Sequence, residues 1–213
     1  MTRLTLRIRH LLGTFAGKEN GNLSLESALI FPMLVWSVTL TYTYFDAFRE
    51  NTANLKAAYT ISDLISREGE GDDPLTDTYA QSMYLMYNRM VTANSPLKMR
   101  LSVIQYFAAD DNAGTEERYL VEWSTACGYE SNWTNDNLEP LIEKLPPLAD
   151  TDSLIIVETS KPYVPILDTN WLDRDHTFEN FVFTRPRFVP IVKGPASTHF
   201  CQQDAAVGVA PGA

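Results

Sequence analysis

Glu26 is the charged residue whose position most needs a chemical explanation. The nineteen residues that follow it, 27–45, carry no charged side chain, and Asp46 ends this run. In a helix rising 1.5 Å per residue the run is about 28 Å long, close to the hydrocarbon thickness of a bilayer. A carboxylate at membrane depth costs roughly 2.5–3.5 kcal/mol on insertion scales, and such residues usually have a partner. The sequence therefore predicts a positive partner for Glu26.

Catalytic and metal chemistry have little support in the rest of the chain. The histidines His10, His176 and His199 are scattered, and no P-loop, nucleophile-elbow or zinc-protease motif occurs. Residues 168–176, DTNWLDRDH, form one polar cluster that could hold calcium or a catalytic group, but we favour an acidic surface loop. The sequon at Asn132 carries little weight by itself. We expect no enzymatic activity, no cofactor and no metal ion.

The only two cysteines, Cys127 and Cys201, both follow the apolar run. If this part of the chain lies outside the cytoplasm, the oxidising compartment favours a disulfide between them. Closing so long a loop would stabilise the fold by roughly 4–5 kcal/mol if loop entropy alone counted. Two buried thiols or one reactive cysteine are the alternatives.

Charge asymmetry around the apolar run predicts its orientation. Residues 1–20 contain four basic residues and one acid, so the positive-inside rule keeps them in the cytoplasm. We expect a cytoplasmic leader (1–21), a transmembrane helix (22–46) with an aromatic belt at its far end, and an exterior domain (47–213). A cleaved signal peptide and a plain signal anchor are alternatives, although the run is longer than the 7–15 residues typical of a signal peptide.

The exterior part is strongly acidic. Residues 1–21 hold four of the 17 Lys and Arg and one of the 27 Asp and Glu, which leaves 13 basic and 26 acidic residues, a formal charge of −13. This balance excludes a nucleic-acid partner and argues against an anionic lipid surface.

Periodicity predicts the elements of the exterior domain. Apolar residues at three- and four-residue spacing from Phe48 to Ile65, including Tyr59, predict that the membrane helix continues over 47–67 and stops in the segment 68–74. A second helix is expected over 75–92. Alternation predicts a hairpin of strands 99–107 and 117–125, then a short helix over 138–144 and a strand over 153–160.

The last strand should begin at residue 180 and run toward 192, with Pro186 and Pro190 confining it to a sheet edge. The tail 204–213 has no pattern of a regular element and is expected to be mobile. A long N-terminal helix followed by an antiparallel sheet that packs on it predicts an α+β fold.

Residues 21–32, GNLSLESALIFP, resemble the N-terminal hallmark of TadE-like proteins, the minor pseudopilins of tight-adherence (Flp, type IVb) pilus systems. In that family a glycine, an acid five positions later and a proline six beyond the acid stand in this order, as Gly21, Glu26 and Pro32 do here. Residues 158–165 and 184–190 resemble the later strands of the family.

This resemblance implies a pilin-like fold, a processing site and a set of partners. A prepilin peptidase would cut between Gly21 and Asn22, and Glu26 would pair with the α-amine of Asn22 on a neighbouring subunit. The partners would be other pilin and pseudopilin subunits, the peptidase and the inner-membrane assembly platform. The protein would cross the bacterial inner membrane once, with its C-terminal domain in the periplasm, and could enter the pilus. Pro32 would kink or loosen the helix.

A membrane-anchored periplasmic sensing or binding domain is the alternative function. In that case Tyr163, Trp171, Phe178 and neighbouring aromatic residues would line a ligand pocket.

Overall fold

The structure is a computed structural model that describes residues 22–69, 73–91, 96–109, 114, 116–165 and 176–201. Its elements are α1 (Asn22–Ser66), α2 (Asp77–Met90), β1 (Lys98–Phe107), β2 (Arg118–Cys127), α3 (Glu139–Ile142), β3 (Ser153–Tyr163) and β4 (His176–Thr184). The leader, Gly21 and the tail 204–213 lie outside the described residues. The helix and antiparallel sheet confirm the predicted α+β class.

The chain divides into two units between Asp46 and Ala47, where the exterior domain was predicted to begin. Helix α1 is 45 residues long and contains Pro32. It ends at Ser66, and Gly69 follows with a φ of +100°, which glycine tolerates without strain. The backbone amide of Arg187 donates to the Ser66 carbonyl at 2.9 Å and so satisfies one of the helix's terminal acceptors.

The buried face of α1 differs from the predicted stripe. Ile61 and Ile65 are buried as predicted, but Phe48 and Tyr59 are exposed, and the buried face extends instead to Asn54 and Ala57. The apolar residues of this helix therefore exceed what the sheet covers, and spacing alone could not say which of them face it.

Helix α2 is shorter than predicted because Thr76 caps it. The Thr76 side chain accepts a hydrogen bond from the Tyr79 amide at 3.2 Å, which fixes the start at Asp77. Its buried residues are Ala80, Met83 and Tyr87. Helix α3, Glu139–Ile142, falls inside the predicted range.

The four strands form one antiparallel sheet in the order β2-β1-β3-β4. The predicted hairpin is present, with Leu101 opposite Thr125, and a register shift lies between Val103 and Ile104. On the other side of β1, Leu101 stands opposite Val157 of β3. Strand β4 is an edge, as predicted, but it begins at residue 176 and ends at 184, before both prolines.

Alternation along the strands creates a core on each face of the sheet. Leu101, Ile155 and Val182 pack with Ile61 of α1 and Tyr87 of α2 on one face. The opposite face is covered mainly by α3 and its flanking loops, and its buried residues are Ile104, Leu138, Leu141, Leu154 and Ile156. Full burial of such an aliphatic side chain contributes about 1.5–3 kcal/mol, so both layers support the sheet.

Residues 185–201, which we call the C-terminal strap, form an irregular segment after β4. The strap lies against the edge strand β2, where Trp123 Nε1 donates to the Val192 carbonyl at 2.7 Å. It also reaches the start of α2, since the Leu75 amide donates to the Lys193 carbonyl at 2.9 Å. Val192 and Phe200 are buried, so the strap contributes to the core.

Candidate assembly site on the apolar helix

The first half of α1 exposes a continuous apolar surface. Leu29, Phe31 and Met33 are 64%, 68% and 69% exposed, and their neighbours are similarly open. Within the described part of the chain, α1 is the one helix long and apolar enough to cross a membrane. A surface this apolar is expected to face lipid or other protein rather than water.

Two threonine side chains in this half of α1 bond to the backbone of the helix itself. Thr41 Oγ1 donates to the Ser37 carbonyl at 2.8 Å, and Thr43 Oγ1 donates to the Thr39 carbonyl at 3.0 Å. A hydrogen-bonded hydroxyl costs less free energy to transfer into hydrocarbon than an unbonded one. This surface therefore suits an apolar environment despite these two threonines.

Glu26 lies one turn after Asn22, the first residue of α1, and its side chain is exposed. Four residues correspond to about 6 Å along a helix axis, so Glu26 and the start of the helix share one face. Pairing of Glu26 with the α-amine of Asn22 on a neighbouring subunit stays a prediction, and so does cleavage after Gly21, which is not among the described residues. Pro32 lies within α1, where it removes one backbone donor from the helix.

Aromatic side chains mark the other end of the apolar run. Tyr42, Tyr44, Phe45 and Phe48 are each more than half exposed, and the rings of Tyr44 and Phe45 meet edge to face with centroids 6.4 Å apart. Tyrosine and phenylalanine at this position suit the interface between hydrocarbon and water.

The domain of residues 47–213 contains the predicted cysteine pair. Cys127, the last residue of β2, is joined to Cys201 in a disulfide, with Cα atoms 5.1 Å apart. Cys127 is buried and Cys201 is exposed. The bond therefore fixes the end of the strap to the end of an edge strand.

A buried ion pair on the α3 side of the sheet was not predicted from the sequence. Arg100 of β1 and Glu158 of β3 stand opposite each other, and two guanidinium nitrogens of Arg100 bond both carboxylate oxygens at 2.6 and 2.8 Å. The rings of Tyr129 and Trp133 lie 4.6 and 4.3 Å from the guanidinium carbon. Trp133 Nε1 also donates to Glu158 at 2.6 Å. This cluster holds the loop after β2 against the sheet.

Two tyrosines in the domain keep their protons well above neutral pH. Burial, helped by the negative charge of Glu158, raises the pKa of Tyr129 to about 12. Burial also raises the pKa of Tyr87, whose hydroxyl donates to Asn54 Oδ1 at 2.6 Å. Both are therefore neutral packing groups rather than acids poised for catalysis near pH 7.

A second polar group joins α1 to the sheet. The Lys161 ammonium pairs with Glu50, and their side chains are only 5% and 25% exposed. Asn54 Nδ2 donates to the Phe178 carbonyl at 3.3 Å while its oxygen accepts from Tyr87. Buried polar partners of this kind fix the rotation of a helix against its sheet, because a small turn would leave them unpaired.

His176 is exposed with its ring 5.0 Å from that of Phe178, and His199 lies in a short bridge to Ala126. Asn132 Nδ2 donates to the Thr198 carbonyl at 2.7 Å, so the sequon nitrogen is engaged. No group of three metal-binding side chains occurs within the described ranges. The cluster residues 168–175, including Trp171, fall in the gap before β4 and are not described.

The aromatic residues suggested for a ligand pocket pack against one another. Tyr163 is 8% exposed, and its ring centroid lies 5.2 Å from that of Phe178. The described part of the proposed pocket is therefore filled by its own side chains.

In comparison with known proteins, the chain matches no family model, no curated protein and no solved structure.

Proposed function

We propose that this protein is a minor pilin, or pseudopilin, that takes part in assembly of a tight-adherence (Flp, type IVb) pilus. The observation that carries the proposal is the two-part character of α1. Its first half presents an apolar, exposed surface that begins at a single carboxylate, and its second half is packed on a folded sheet. The resemblance of residues 21–32 to TadE-like proteins supports the same conclusion.

In this proposal the first half of α1 lies first in lipid and later among the helices of other subunits. It anchors the chain in the bacterial inner membrane, with the leader in the cytoplasm and the acidic domain in the periplasm. During assembly the same apolar surface leaves lipid and packs against the helices of other pilin subunits. Lipid and neighbouring apolar helices are similarly apolar surroundings, so the transfer of the helix from one to the other changes the free energy little. The order of subunits is then decided by close packing and polar pairs between helices.

Glu26 supplies the specific contact. Once a prepilin peptidase has cut after Gly21, the α-amine of Asn22 carries a positive charge. The carboxylate of Glu26 on one subunit pairs with this amine on its neighbour, so that neither charge is left alone in apolar surroundings. The pair sets the axial register between subunits, and the inner-membrane assembly platform delivers the helices to one another.

The test is the intact mass of the membrane-extracted protein from cells with and without the prepilin peptidase, combined with N-terminal sequencing. The proposal expects a chain that begins at Asn22 only when the peptidase is present. A chain that begins at Met1 in both strains would overturn processing. It would favour the anchored sensing or binding domain instead.

A further inference from the structure

The end of the C-terminal strap, residues 197–201, covers the outer end of β2. The Ala126 amide donates to the Thr198 carbonyl at 3.1 Å, and Thr125 Oγ1 donates to the Ser197 carbonyl at 2.9 Å. His199 forms a parallel bridge with Ala126. An edge strand with free amides is a template for pairing with another chain, so this short segment protects the edge.

Besides the disulfide and the bonds to β2, hydrogen bonds to Asp77 and one buried side chain hold the strap end. Ser197 bonds Asp77 through its amide at 3.0 Å and its hydroxyl at 2.9 Å. Phe200 is buried, with its ring 6.1 Å from that of Tyr84. Asn132 Nδ2 also donates to the Thr198 carbonyl at 2.7 Å, so the disulfide is the covalent tie beside several hydrogen bonds.

We propose that the Cys127–Cys201 disulfide is a redox latch: when closed it holds residues 197–201 over β2, and its reduction uncovers that edge while the rest of the exterior domain stays folded. The inference concerns the exterior domain alone and does not depend on a role in a pilus.

The chemistry is thiol–disulfide exchange with a dithiol reductant. A thiolate of the dithiol attacks the sulfur of Cys201, the exposed member of the pair, and forms a mixed disulfide. Cys127 leaves as a thiolate and takes up a proton. The second thiol of the reductant then displaces Cys201, so two cysteine thiols form and the dithiol is oxidised to its own disulfide.

The opening is local because most of the core lies elsewhere. Of the buried residues on the helix-covered face, Phe200 is the only one within 197–201, and the others come from both helices, the strands, the intervening segments and Val192. Opening residues 197–201 exposes one buried core side chain, whereas separating strands from helices exposes many, so this segment opens first. Residues 185–194 keep their own contacts with Trp123 and Leu75.

Hydrogen exchange of the full-length chain in detergent micelles tests the latch. The oxidised protein is compared with the protein reduced by dithiothreitol and alkylated, and exchange is followed by mass spectrometry. On reduction, the amides of Ser197 and Ala126 should exchange about tenfold faster or more, while peptides from β1 and β3 keep their protection. Cys201→Ser should reproduce this pattern without reductant.

Ser197→Ala is the matched control, because it removes the hydroxyl bond to Asp77 but keeps the disulfide. In this oxidised variant the Ala126 amide should stay protected. The latch is refuted if Ala126 stays protected after reduction, if β1 and β3 lose protection together with it, or if Ser197→Ala alone frees the Ala126 amide.

Discussion

At position 26 the chain places a carboxylate one turn into a helix whose next charged residue is Asp46. Glu26 is exposed, and its carboxylate makes no ion pair with the described residues. In water such a residue needs no partner, but in lipid or among apolar helices it does. Under the proposed function, Glu26 would therefore stabilise the assembly of subunits rather than the fold of its own subunit.

Substitution of Glu26 distinguishes a role in pilus assembly from a role in the stability of the folded domain. In Glu26→Gln the α-amine of the neighbouring Asn22 loses its counter-charge, and we expect incorporation into pili to fall at least about tenfold. The thermal midpoint and circular dichroism of the exterior domain should not change, since Glu26 precedes Ala47, where that unit begins. Immunoblots of sheared pili measure incorporation. Glu122→Gln, an exposed carboxylate on β2, is the control. Unchanged piliation in Glu26→Gln would disprove the pairing role.

The ion pair of Arg100 and Glu158 is a residue contact that the sequence pattern did not predict. Each is a charged residue inside a strand whose neighbours are buried, and a charge there is ordinarily expected to face solvent. They are 58 positions apart in sequence, and only the pairing of β1 with β3 brings them opposite each other. A residue's local pattern does not contain the register of another strand, so the buried pair could not be predicted before the sheet was known.

Among the helices and strands, sequence periodicity correctly predicted the features that residues close in sequence determine. The length of α1, the β1–β2 hairpin, α3 and the edge position of β4 follow from apolar spacing, turn residues and prolines. The errors arise where tertiary contacts decide. Phe48 and Tyr59 lie off the buried face, and the segment after residue 184 is a strap because it packs around the edge of β2 rather than along β4.

Gly194 allows the strap to approach β2 closely. A Cβ built at this position would lie 2.2 Å from Cγ of Trp123, far inside van der Waals contact. Gly194→Ala must displace either the strap or the indole, and we expect it to lower the free energy of unfolding by about 1–3 kcal/mol. Chemical denaturation of the detergent-solubilised chain, followed by circular dichroism, measures this loss.

Gly114→Ala is the comparison for Gly194→Ala. Gly114 has a φ of +63°, and no atom of the described residues lies within 4 Å of an added Cβ, so a substitution here measures backbone strain without a clash against them. We expect this variant to lose about 1 kcal/mol or less. Equal losses at the two positions would contradict the close approach of the strap to Trp123.

For the whole molecule, the membrane topology of the chain determines the compartment, and therefore the redox state, of its two cysteines. The basic leader predicts that everything after the apolar run leaves the cytoplasm, and both cysteines lie in that part. A disulfide persists in an oxidising compartment and is rare in the cytoplasm. In protein that has not met a dithiol reductant, the state of Cys127 and Cys201 therefore tests the predicted orientation of the chain in the membrane.

Thiol counting with a maleimide under denaturing conditions checks this link. The full-length protein extracted from membranes should show no reactive thiol, and both of its cysteines should react after reduction. A variant without residues 22–46 lacks the apolar run and should remain in the cytoplasm with both thiols reactive before reduction. Cys127→Ser in the full-length chain should show one reactive thiol, which proves that the label detects Cys201. Two reactive thiols in the unreduced full-length protein would contradict an exterior domain closed by a disulfide, because the cysteines would then share the redox state of the cytoplasmic variant.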